Sequence, residues 1–306
     1  MTADALRVRF AQALAQINGI VLGKAGETRL ALACLLADGH LLIEDLPGVG
    51  KTTLAHALAQ TLGLEFKRIQ FTSDLLPADV LGYSSLNRAD SSLTFHPGPV
   101  FAQVVLADEI NRATPKAQSA LLEAMEEGQV TQDGVTRALP QPFFVIATQN
   151  PFTQAGVYPL PESQLDRFLM RLSLGYPSVN AERELLAGRG GKAAPAARVM
   201  QVEDLLAAQA QLDVLHLSPP LLDYLQALAA HTRQCGRFVH GLSPRGLLGL
   251  ARAARAWAWL AGRDFVIPDD VQAVFAAVAG HRLVDAEGAW SGAEAARWVL
   301  GSVAIP

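Results

Sequence analysis

Four side chains in two short stretches could do phosphate chemistry. Residues 41–52 read L-L-I-E-D-L-P-G-V-G-K-T and end on Lys51 and Thr52; residues 104–109 read V-V-L-A-D-E and end on Asp108 and Glu109. A lysine and a hydroxyl just after a glycine turn, at the start of a helix, can meet phosphate oxygens and a divalent cation, because backbone N–H groups at a helix N-terminus converge on anions. Two adjacent carboxylates at a strand end can divide the remaining work, one supporting the metal and the other polarising water. The pair implies nucleotide hydrolysis. Candidate phosphate-contacting residues are therefore Pro47, Gly48, Val49, Gly50, Lys51, Thr52 and Thr53, with Thr52 and Asp108 as metal ligands and Glu109 as general base. The loop departs from the G-x-x-x-x-G-K-[ST] pattern, since Asp45 stands in place of the first glycine. Gly48 and Gly50 still allow close backbone approach, and Pro47 fixes the entry dihedral.

Positioning these groups requires strands that end together. Strand-like apolar runs recur over 41–44, 66–71, 103–107, 143–148 and 168–174, with helical patterns or insertions between them. Such alternation predicts an α/β fold, a mostly parallel sheet with helices on both faces. The glycine turn, Asp108, Glu109 and the segment Thr148-Gln149-Asn150 then meet at the C-terminal edge, where such folds bind ligands. Leu54, Leu58 and Leu62 give the helix after the loop its period. Thr114, Pro115 and Gly128 predict the start and end of another helix. Asp133-Gly134 predicts a hairpin over 129–137, and a second hairpin is predicted over 86–95 with its turn near 89–92. Inserted hairpins add nothing to sheet burial, which makes them candidate contacts for another macromolecule. Beyond Tyr176-Pro177 the composition shifts. A glycine- and alanine-rich linker over 188–197 would separate a core, residues 1–187, from an all-helical part, residues 198–306, with helices over 202–212, 219–232, 244–261 and 268–281.

Bulk properties exclude several classes. The 306 residues suffice for two domains, and 50% hydrophobic against 18% charged residues is a globular composition. Net charge is −4, with 13 cations against 17 acids up to residue 180 and 12 against 12 beyond it. No clustered basic excess favours nonspecific nucleic-acid binding. Cys34 and Cys235 have neither metal-ligand spacing nor disulfide-framework density. No apolar signal core or bilayer-length run occurs, so a cytoplasmic location without membrane insertion is expected.

Three further blocks sharpen the reading: D-E-I-N-R-A-T-P-K-A-Q-S-A-L-L-E-A-M-E-E over 108–127, F-F-V-I-A-T-Q-N-P over 143–151, and Y-P-L-P-E-S-Q-L-D-R-F over 158–168. With G-L-S-P-R over 241–245, the chain resembles the MoxR family of AAA+ ATPases across residues 20–250 or so. The resemblance implies a P-loop core with inserted hairpins followed by a small helical lid, binding ATP with Mg2+. It implies that Lys51 contacts the β and γ phosphates, Thr52 and Asp108 support the metal, and Glu109 activates water. By the same resemblance Asn150 is the first sensor, Arg167 an arginine finger given to a neighbouring subunit, and Arg245 a second sensor reaching the phosphate of its own subunit. Val21-Leu22-Gly23 resembles the segment beside the adenine. Taken as residues alone, Asp166-Arg167 has an ordinary ion pair as its rival reading, Asn150 a turn cap and Arg245 a surface cation; Glu44 and Arg112 fit either an ion pair or the site. The implied assembly is a homo-oligomeric ring, expected to be a hexamer, that remodels or activates a client protein complex alongside a partner with a von Willebrand factor A domain. A nucleic-acid-dependent motor and a slowly hydrolysing, nucleotide-switched binding module remain the alternatives.

Overall fold

The computed structural model describes residues 2–86, 92–150, 156–189 and 196–306. The tip of the predicted hairpin over 86–95 (87–91), Pro151 of the 143–151 block and most of the predicted linker (190–195) fall outside them.

The chain opens with α1 (Ala3–Ile20) and α2 (Ala25–Leu36), two helices the sequence reading did not place. Helix α1 buries Leu6, Phe10, Ala13 and Ile17, one stripe at helical spacing. Then come β1 (His40–Glu44), α3 (Lys51–Leu62), β2 (Phe66–Gln70) and the short α4 (Pro77–Leu81). The hairpin β3 (Gly82–Leu86) and β4 (Leu93–Pro97) precedes β5 (Val104–Asp108), α5 (Pro115–Glu127), the hairpin β6 (Gln129–Gln132) and β7 (Val135–Ala138), and β8 (Phe144–Gln149). A single turn, α6 (Glu162–Leu165), leads into β9 (Phe168–Leu172). The remainder is helical: α7 (Val179–Leu186), α8 (Val202–Asp213), α9 (Pro219–Gln234), α10 (Pro244–Leu260), α11 (Pro268–Ala279) and α12 (Gly292–Ser302). Helices α7 and α12 escaped the sequence reading because the first buries only Ala181 and the second is masked by small residues.

Strands β2, β5, β8, β1 and β9 form one sheet in that order, all parallel. Alternation along each strand explains the layering. Leu41, Ile43, Leu106 and Ile146 face α1, α2, α3 and the C-terminal helices, whereas Leu42, Val105, Ala107, Val145 and Ala147 face Leu121 and Leu122 of α5. Covering both faces is what makes the central strands continuous apolar runs. At the edge, β2 exposes Lys67, Arg68 and Gln70, consistent with a strand paired on one side only. Phe10 meets Trp259 edge-on at 4.9 Å between ring centres, so the N-terminal helix packs directly on α10. The two hairpins touch as well, since the Arg137 guanidinium lies 3.9 Å over the Phe95 ring.

Candidate active site

The turn after β1 takes its shape from two glycines. Gly48 (φ +84°) and Gly50 (φ +100°) adopt left-handed backbone that side-chain-bearing residues rarely tolerate, although a Cβ at either would have free space. The demand is dihedral, and it sets the start of α3 in the wall of the crevice. Lys51 opens that helix and donates to the Asp45 and Leu46 carbonyls at 2.7 and 2.9 Å. Burial lowers its pKa, while Asp45, Asp108 and Glu109 act in the opposite sense. Asp45, the residue in the place of the missing glycine, is 6% exposed. Its carboxylate accepts from the amides of Leu46 (2.8 Å) and Gly175 (2.6 Å) and from Ser173 Oγ (3.0 Å). Burial alone would raise its pKa, but those donors hold it below the usual carboxylate range. A glycine is absent here because the side chain ties the loop to the strand-end turn after β9.

The second half of the crevice is built at the ends of β5 and β8. Asp108 is 8% exposed; Thr148 Oγ1 donates to its Oδ1 at 2.6 Å and accepts the Glu109 amide at 2.9 Å. Glu109 itself sits in left-handed backbone at φ +57°. Its Oε2 accepts from Arg112 Nε at 2.8 Å and from Gln70 Nε2 at 3.2 Å. Arg68 Nη2 lies 2.5 Å from Asp108 Oδ2 and donates to Gln70 Oε1 at 2.9 Å. Strand pairing sets Gln70 opposite Asp108, a register not readable from the sequence, and this is why Arg68 and Gln70 were not foreseen as site residues. The alternating polar pattern of β2 was the available signal. Glu44 belongs to a separate pair with Arg171 at 2.9 Å, also bonded to Gln149.

A cavity of about 330 Å³ joins the two halves. Pro47, Gly48, Gly50, Lys51, Thr52 and Thr53 wall one side; Arg68, Asp108, Glu109 and Asn150 wall the other. Val49 lines an adjoining hollow with Val21, Leu22, Lys24 and Leu185, which brings it beside two residues of the 21–23 segment. Gly23 lies at the turn behind it (φ +73°), where a Cβ would come within 2.9 Å of Ala181 in α7, so its role is to let α7 approach. The donor set suits the implied ligands: a cationic guanidinium already sits on Asp108, and Thr52 with one carboxylate offers hard oxygens of the kind Mg2+ takes alongside phosphate. Among the described residues no cluster of three His, Cys, Asp or Glu could hold a metal by side chains alone.

Arg167 and Arg245 lie away from this crevice. Both end on Glu126 at the C-terminal end of α5: Arg167 Nη2 is 2.7 Å from one carboxylate oxygen and Arg245 Nη2 bonds the other. That cluster flanks His40, where β1 begins, about one strand length (roughly 15 Å) from the glycine turn that follows its end. The expectation that Arg245 reaches the phosphate of its own subunit is therefore corrected. Ser243, the N-cap of α10, bonds Asp166 at 3.2 Å and docks the helix start beside β9; α7 takes the place next to the glycine turn instead. Beneath the pair, Arg282 is 6% exposed in its side chain and donates to Asp166 Oδ1 at 2.6 Å and to the carbonyls of Asp166, Phe168 and Leu169. No described helix is long and apolar enough to cross a membrane.

Comparison with known proteins places this geometry. Residues 40–170 match the ATPase family associated with various cellular activities (AAA), and residues 230–297 match the AAA lid domain. The chain is 46% identical to the uncharacterized protein YeaC of Bacillus subtilis, covering 96% of this chain and 94% of that one. It is 41% identical to the chaperone MoxR1 of Mycobacterium tuberculosis, covering 89% and 75% respectively. The crystal structure of an inferred ATPase from Cytophaga hutchinsonii superposes with a TM-score of 0.91 at 33% identity, over 99% of this chain and 97% of that one. A parallel sheet ending in a phosphate turn and paired carboxylates, a helical lid, and near full-length likeness to MoxR proteins lead to one assignment: the chain belongs to the MoxR family of AAA+ ATPases.

Proposed function

We propose that the protein hydrolyses ATP with Mg2+ in a ring of identical subunits, and that hydrolysis drives remodelling or activation of a client protein complex. The observation that carries this reading is a separation within one chain. Lys51, Thr52, Asp108, Glu109 and Asn150 share one cavity, while the two arginines suited to a developing phosphate charge lie a strand length away. A site completed by the arginines of a second copy accounts for both facts. An arginine supplied in this way is worth about 10³–10⁵ in rate, so assembly would license turnover.

Within the site, the amides of residues 48–53 and Lys51 would hold the phosphates, and Thr52 with Asp108 would hold the metal, which when bound would neutralise phosphate charge. Glu109 takes the proton of the attacking water, and Asn150 orients that water. Val21 and Leu22 flank the base. Because Arg167 and Arg245 would both grip a triphosphate seated in another subunit, ATP would hold the two subunits at one angle to each other, and its loss on hydrolysis would release that angle. The paired hairpins expose Tyr83, Leu86, Leu93 and Val135, apolar side chains suited to contact with a client or with a von Willebrand factor A domain partner.

Mixing experiments test the shared site. Arg167→Ala subunits keep an intact cavity and Glu109→Gln subunits keep intact arginines, so a mixture of the two should turn over ATP faster than either alone. No recovery at any ratio rules out completion in trans. Capture on Glu109→Gln protein in ATP, followed by identification of the bound chains, tests the client role.

A further inference from the structure

Arg167 and Arg245 come from different parts of the chain, yet they are joined at two levels. At the tips a single carboxylate serves both: Glu126 bonds Arg167 through one oxygen at 2.7 Å and Arg245 through the other. At the roots Asp166, which precedes Arg167, accepts from Ser243 Oγ, two residues before Arg245, and from the buried Arg282. The carbonyls of Asp166, Phe168 and Leu169 take further Arg282 donors, so the base of the joint is fixed in the interior.

The charges at the tips do not cancel. Two guanidiniums share one carboxylate, leaving one net positive charge on a face where the Arg245 side chain is 50% exposed and Glu126 34%. The Arg245 guanidinium first, and Arg167 as well, hold the Glu126 carboxyl below its ordinary range, which keeps it ionised. Each arginine spends one terminal nitrogen on Glu126, and a guanidinium has further N–H donors to give an incoming anion. A half-exposed ion pair is weak, too weak to keep either arginine from a triphosphate. It is enough to select rotamers and to offset the repulsion between two cations that must act side by side. Glu126 therefore suits preorganisation and not inhibition.

We infer that Glu126 is a positioning residue that gathers Arg167 and Arg245 into one two-armed receptor for the terminal phosphate of ATP held by a second copy of this chain, on a base set by Asp166 and Arg282. The inference rests on the shared-site reading above and assigns its donor side.

The experiment uses the full chain, with Mg2+ and ATP. Glu126→Gln should leave nucleotide affinity of the unmixed protein and its melting temperature unchanged, lower kcat about tenfold, and leave KM within about twofold, as for loss of an interaction made only in the transition state. Glu126→Asp, which keeps the charge, should turn over faster than Glu126→Gln. Mixed with Glu109→Gln subunits, Glu126→Gln subunits should recover activity, because their own cavities then receive intact arginines. Mixed with Arg167→Ala subunits they should not, both lesions being on the donating face. Unchanged or raised kcat, equal rates for the Gln and Asp variants, or recovery with Arg167→Ala overturns the inference. Should Arg167→Ala with Glu109→Gln recover while Glu126→Gln with Glu109→Gln does not, this inference alone falls; if neither pair recovers, the shared site falls with it.

Discussion

Arg68 on β2 and Asp108 on β5 face each other with Nη2 and Oδ2 2.5 Å apart, an ion pair on the carboxylate proposed to support the metal. The pair joins Gln70, Glu109 and Arg112 into one polar chain that engages both carboxylates of the crevice.

A guanidinium on Asp108 would compete with a divalent cation for the same oxygen. Arg68→Ala is expected to lower the Mg2+ concentration needed for half-maximal nucleotide binding by about three- to fivefold, the scale of a partly exposed ion pair. Titration of Mg2+ against a fluorescent ATP analogue measures it, and an unchanged or higher requirement contradicts the competition.

Glu109 combines a carboxylate at the right place with a backbone amide anchored on Thr148. Glu109→Gln should bind ATP as the parent does and turn over about 10²–10⁴ times more slowly, the usual weight of a general base. Steady-state phosphate release beside calorimetric binding separates the two, and a parental rate removes Glu109 from the chemistry.

Asp45→Gly would bring the loop into the strict glycine pattern, yet it should weaken the protein. It strips an acceptor from Gly175, Leu46 and Ser173, at a cost of about 2–3 kcal/mol for unsatisfied donors. Urea unfolding at pH 7 reads the loss. Because the folded pKa of Asp45 lies below its ordinary value, the carboxylate's contribution is full above about pH 4 and disappears on acidification below it. The gap between parent and variant should therefore narrow in acid.

Two histidines predict a second pH dependence. Burial pushes His40 down to about 4, against the opposing effect of the Met125 carbonyl, and burial together with Arg282 and Arg171 holds His281 well below its ordinary value. The unfolded imidazoles take protons near pH 6.5 while the folded ones stay neutral, so stability is complete above that pH and falls as pH drops toward 4. His40 alone should remove about 1–2 kcal/mol between pH 7.5 and pH 5. A shallower slope in urea unfolding of His40→Asn is the expected mark; an identical slope assigns the effect elsewhere.

Much of the core was legible in the sequence because its strands are buried on both faces and so read as uninterrupted apolar runs. The five parallel strands fall within a residue or two of their expected bounds, and the carboxylates and Asn150 meet at one strand edge as the alternation required. Helix α9 runs two residues past its expected end at Thr232, and Thr114 stands at the N-cap of α5 without a side-chain bond to the helix. What stayed hidden depended on lateral register and on packing between distant segments. No local pattern tells that Gln70 pairs with Asp108, or that Ser243 docks on Asp166 and carries Arg245 away from its own phosphate turn.

The positive φ of Glu109 sets durability against turnover at one position. Glycine would occupy that conformation without the roughly 1–3 kcal/mol toll a side chain incurs there. A Glu109→Gly chain should thus melt later than its parent while losing the carboxylate proposed to accept the proton, so selection for robustness and selection for work would pull this residue in opposite directions.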